Sequence, residues 1–120
     1  MSIVTKILVG VVAFAHLYFL YLEMFRWTAP KTLKAFGMTA EMAEGTKKMA
    51  GNQGLYNGFL AAGLIWALLA PPELAKQLTL FFAGCVTVAG LYGAATVSRK
   101  ILYVQAIPAM CAIAAALLLS

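Results

Sequence analysis

Apolar residues gather into four long runs, and most of the charged residues fall in the stretches between them. The runs cover Ile7 to Met24, Gln53 to Leu69, Leu78 to Val97 and Ile101 to Leu119, each 17 to 20 residues long. At about 1.5 Å of rise per residue, helices of this length reach roughly 25–30 Å, the thickness of a bilayer's hydrocarbon core. The pattern predicts an all-α fold, an integral membrane four-helix bundle forming one domain over residues 1–120. The second helix is expected to start ahead of its apolar run, because Thr39 suits an N-cap and Glu41 and Glu44 follow where the helix dipole favours negative charge. Pro71 and Pro72 end that helix, and Pro108 predicts a kink in the fourth. The first run has a second reading, as a cleavable signal, since Lys6 precedes eight apolar residues and Ala13-Phe14-Ala15. The run continues through Leu17 to Met24, however, so a retained span is expected.

Small residues recur at helical spacing inside the runs. Gly54, Gly58 and Ala62 form one row, Ala89 and Gly93 a second, and Gly90, Ala94 and Ser98 a third. Such rows let helix backbones approach closely in lipid. They predict self-association into a dimer or trimer as readily as packing within one chain.

Composition agrees with a membrane reading. The chain is 63% hydrophobic and 11% charged, with a mean hydropathy of +0.89. Soluble domains carry about a quarter charged residues, and one this short buries too little of its surface to hide so many apolar side chains. Arg26, Lys31, Lys34, Lys47 and Lys48 lie in the first loop and Arg99 and Lys100 in the third, against Lys6 and Lys76 elsewhere. By the positive-inside rule both loops face the cytoplasm and both termini face away, as in a multi-pass protein of a bacterial inner membrane. The net charge of +5 reflects this asymmetry and needs no nucleic-acid partner; the expected partner is the lipid bilayer. Cys85 and Cys111 sit in apolar runs with no CxxC pairing, so they read as small buried hydrophobes. A single histidine argues against a metal site or bis-histidine haem built from one chain.

Polar side chains within a span are costly, so each needs a reason. His16, Phe19 and Glu23 share one face of the first helix, a polar wall or the ends of a proton relay that Phe19 interrupts. The bland alternative ties His16 to a neighbouring helix and pairs Glu23 with Arg26. In the second helix Lys48, Asn52 and Tyr56 are four apart on one face, with Gln53 and Asn57 beside them. Three amides in six residues suit either directional binding of a polar ligand or hydrogen bonds between helices, with Glu23 or His16 as the natural partners. Arg99 and Tyr103, four apart at the start of the last run, are a further candidate pair, or plain interfacial anchors. The inferred topology puts Glu23, Arg26, Lys48, Asn52, Arg99 and Tyr103 near the cytoplasmic boundary.

Two resemblances follow from these residues. His16-Leu17-Tyr18, Leu22-Glu23-Met24-Phe25, the stretch from Asn52 to Leu64 and that from Ala89 to Thr96 resemble the domain-of-unknown-function family 1304, small four-helix membrane proteins with no assigned activity. Lys48 with Asn52, and Arg99 with Tyr103 and Pro108, are similar to the membrane-associated eicosanoid and glutathione metabolism proteins, trimers of four-helix subunits. The position where those proteins usually carry a glutamate is Leu55 here. That likeness implies glutathione as cofactor, with Arg99 and Lys48 on its carboxylates, Asn52 orienting it and Tyr103 stabilising its thiolate.

The favoured functional reading is a binding or accessory membrane protein with a polar pocket near the cytoplasmic boundary. The alternatives are a glutathione-dependent transferase or peroxidase using Tyr103 and Arg99, and a proton-coupled transporter using His16 and Glu23. The Leu- and Ala-rich far side offers the transporter little of a polar path.

Overall fold

The computed structural model of the protein describes residues 1–119. It is all-α, with no strand among the described residues. Five α-helices follow in order: α1 (Ile3–Phe25), α2 (Pro30–Phe36), α3 (Ala40–Leu69), α4 (Pro72–Thr96) and α5 (Ile107–Leu118), with a π-helical turn at Leu102–Ala106 leading into α5. Two of them, α1 and α4, are long and apolar enough to cross a membrane.

Helix ends are set by local chemistry. Ser2 caps α1, its Oγ accepting the Thr5 N–H at 3.1 Å. Thr39 caps α3 as its sequence suggests: its Oγ1 accepts the Met42 N–H at 3.0 Å and its carbonyl the Ala43 N–H at 3.0 Å. The helix thus starts well before its apolar run and extends for 30 residues. The short α2 is not foreseen by the apolar pattern, although both its ends are written in the chain. Pro30 opens it, and Gly37 closes it at φ +64°, with the Met38 N–H reaching the Leu33 carbonyl at 2.9 Å. The interruption expected at Pro108 is the π turn just before it. Proline has no N–H to offer the carbonyl four residues back and its ring crowds that carbonyl, so the preceding turn widens.

The chain divides into two compact units. One contains the start of α1 up to Phe14 and everything from Leu60 onward. Its core is built from small side chains: Val9, Val12, Ala13, Leu64, Ala67, Leu78, Ala83, Val86, Ala109 and Ala112. Gly63 faces the Phe82 ring, and Gly90 lies against the backbone of Ala106 in the π turn. A Cβ on Gly90 would come within 2.6 Å of the Ala106 nitrogen. The rows read from the sequence are shifted in use, because Gly90 and Gly93 face Ala106 and Ile101 whereas Ala89 is exposed.

The other unit, Ala15–Phe59, holds the second half of α1, α2 and the first half of α3. Here Gly54 and Gly58 pack on α1 of the same chain. A Cβ on Gly54 would meet Met24 Cγ at 2.7 Å and Glu23 Cβ at 3.1 Å; one on Gly58 would meet Leu20 Cδ1 at 2.7 Å. Leu20, Glu23 and Met24 interlock with Gly54, Asn57 and Gly58, two sets with the same spacing of three then one. The large residues of α1 fill the space that the glycines of α3 leave open.

Candidate functional site

The close approach at Gly54 and Gly58 brings two polar side chains together in an otherwise apolar contact. Asn57 Nδ2 donates to Glu23 Oε1 at 2.5 Å. Both are buried, Glu23 with 5% and Asn57 with 9% of its surface exposed. An unpaired carboxylate or amide there would cost a kcal/mol or more, so each supplies the partner that the other's burial demands. Of the partners open to Glu23 in the sequence, Asn57 is the one taken. Arg26, three residues further on, is exposed and forms no ion pair with it.

Beside this pair lies a groove of about 220 Å³ lined by Glu23, Trp27, Met38, Met42, Thr46, Met49, Ala50 and Gln53. Its Trp27 wall is fixed by hydrogen bonds. Trp27 Nε1 donates to Thr46 Oγ1 at 3.1 Å, and the same hydroxyl donates back to the Met42 carbonyl at 2.8 Å. The indole also meets the Phe36 ring, with centroids 5.1 Å apart. The groove is therefore chemically mixed, with one carboxylate, one amide, one oriented indole and three thioethers. No lysine or arginine lines it.

The other candidate residues fall as follows. His16 is fully buried and edges onto the Phe19 ring at 5.3 Å. Seven residues of helix, about 10 Å, separate it from Glu23. Gln53 is exposed but joins Glu23 in lining the groove, whereas Lys48, Asn52 and Tyr56 are exposed on α3 outside it. Arg99 and Tyr103 belong to the other unit and are exposed there, with the Leu102 N–H donating to the Arg99 carbonyl at 3.1 Å. Among the described residues, no three His, Cys, Asp or Glu side chains gather to hold a metal.

Trp27, Thr46, Met38 and Met42 do not stand out in the sequence as site residues. Their signal is positional: Trp27 is four residues after Glu23, Met38 and Met42 are four apart, and Thr46 lies four after Met42. Only Met42 and Thr46 share a helical face; Trp27 and Met38 lie in the links between helices, and the turn at Gly37 and the cap at Thr39 bring them to the groove.

Comparison with known proteins places the chain in a family. The model of a family described as "Protein of unknown function (DUF1304)" matches residues 10–117. The chain is 34% identical over 110 residues to the uncharacterized protein YpaA of Lactococcus lactis subsp. lactis (strain IL1403), a match covering 88% of this chain and 89% of that protein. No solved structure matches. The matched stretch contains every residue of the groove and of the Glu23–Asn57 pair, and the chain belongs to the DUF1304 family of proteins of unknown function.

Proposed function

We propose that the protein is a four-span integral membrane protein of the binding or accessory class, whose ligand site is the groove beside Glu23. The spans are α1, the apolar second half of α3, α4 and the Leu102–Leu118 stretch; the second and fourth of these are shorter and cross as parts of the bundle. The observation that carries the reading is the buried Asn57–Glu23 hydrogen bond at the edge of a groove, in a chain that is 63% hydrophobic. Ionisable groups within a span are expensive, and they mark sites more often than scaffolding.

The basic first loop supports a cytoplasmic position for this groove. Arg26, Lys31 and Lys34 follow Glu23 closely in sequence, and Trp27 has the amphipathic ring that settles at headgroup level. Both termini then face away from the cytoplasm. Gly84 on α4, where an ideal Cβ would meet nothing within 4 Å, gives a second copy somewhere to pack.

The test is native mass spectrometry of the protein released from its own membranes after alkaline carbonate washing. The protein is expected to stay in the washed membranes and to carry a small-molecule adduct, lost in Glu23→Gln while the fold survives. Release by carbonate would overturn the membrane reading. An adduct-free wild type, or an adduct kept by Glu23→Gln, would overturn the ligand site. A glutathione adduct lost on Arg99→Ala would replace this reading with the transferase or peroxidase.

A further inference from the structure

The groove's lining is specific enough to name the chemistry of its ligand. Glu23 is the sole ionisable side chain lining it, and the partner that shields its Oε1 is a neutral amide. The Asn57 hydrogen bond answers that oxygen's need for a donor but brings no counter-charge to the carboxyl group. Arg26 is near in sequence but forms no ion pair with Glu23, and the lysines of α2 and α3 do not line the groove. Among the described residues, every buried side-chain oxygen that lacks a hydrogen bond would be an unsatisfied atom, and there is none. Glu23 Oε2, which has no such bond, is therefore not fully sealed from its surroundings, and Glu23 lines the groove.

The rest of the lining is mostly aromatic and thioether, with Thr46 and the Gln53 amide as its polar members. The Trp27 indole is held in place by Thr46 and Phe36, so it lines the groove without the entropy loss of ordering a free ring. Met38, Met42 and Met49 supply flexible, polarisable thioethers that adapt to the shape of an apolar body. A carboxylate, an oriented indole and a methionine wall are what a cation with a hydrophobic body needs: an opposite charge, a π face and adaptable apolar contact. An anion would meet the carboxylate's repulsion, and a strongly hydrated inorganic cation would waste the indole and the thioethers.

We infer that the groove takes a monovalent organic cation with an apolar body, such as a substituted ammonium, its charge against Glu23 and its body against Trp27 and the methionines. The inference rests on the proposal that this groove is a ligand site, and it specifies what occupies it.

Two probes of matching shape and opposite charge test it, benzyltrimethylammonium and phenylmethanesulfonate, titrated into the detergent-purified full chain while Trp27 fluorescence is followed in a Trp66→Phe background. The cation is expected to quench saturably and raise the melting temperature, and the anion to do neither. Glu23→Gln, which keeps an oxygen for Asn57, should weaken the cation at least tenfold. Should that variant fail to fold, Trp27→Leu read by melting temperature decides the matter, with at least a threefold loss expected against no change in Trp66→Leu. Equal binding of the two probes, no binding of the cation, or a cation affinity indifferent to Glu23 and Trp27 would overturn the inference. A native adduct that Glu23→Gln abolishes, together with no cation binding, would sink the cation and leave the ligand site standing. With no adduct either, both fall.

Discussion

Adding one methyl group at Gly90 tests the packing of α4 on the π turn. An ideal Cβ there would lie 2.6 Å from the Ala106 nitrogen, 2.8 Å from its Cβ and 2.9 Å from its Cα. The two carbon contacts are thus about 0.6–0.7 Å inside the ~3.5 Å at which carbon pairs begin to attract. None of the three atoms is the end of a flexible side chain, so relief requires the backbone of the π turn to move. Overpacking of this kind costs about 1–3 kcal/mol, and backbone opposition puts the expectation near 3. Against it stands the gain in helix propensity from glycine to alanine, at most about 1 kcal/mol. Gly84, in the same helix, has no neighbour within 4 Å of such a Cβ, so Gly84→Ala carries the propensity term alone. Subtracting the two variants cancels propensity and leaves the packing term, an expected difference of about 2–3 kcal/mol. Denaturation by sodium dodecyl sulfate in mixed micelles, read by circular dichroism, gives both free energies. A difference under about 0.5 kcal/mol would refute the close approach of α4 to Ala106.

Three further outcomes are expected. Asn57→Leu removes the donor to Glu23 and should destabilise by about 1–2 kcal/mol, while Glu23→Gln with Asn57 intact should cost less; a double-mutant cycle in the same micelles measures the coupling, and additive effects would contradict a direct bond. Thr39→Ala should cost about 1 kcal/mol and speed amide exchange in the first turn of α3, whereas Thr39→Ser should restore both. Thr46→Val frees the indole, so Trp27 emission should broaden and shift in a Trp66→Phe background; an unchanged spectrum would mean that Thr46 does not orient it.

The helices were legible because their signals are local. Seventeen to twenty consecutive apolar residues, a threonine cap and paired prolines each act within a turn or two, so α1, α3 and α4 could be placed from the chain alone. The π turn was half legible: Pro108 announces an interruption, but the close packing of Gly90 against the turn shows only in the structure. The candidate site divides in the same way. The cost of burying Asn57 and Glu23 means that each needs a partner, and the sequence lets each serve the other, yet Arg26 is an equal choice by spacing. What decides between them is the pair of glycines at 54 and 58, which bring α3 onto Leu20 and Met24 and so carry Asn57 to the carboxylate. Lys48, Asn52 and Tyr56 share a helix face with perfect spacing, but that face turns outward, and periodicity alone cannot say which of two polar faces is the inner one. The inner face is the one that carries the glycines. In α3, Gly54 and Gly58 therefore locate the interior better than polar spacing does, because a side chain of another helix fills the notch that each glycine leaves.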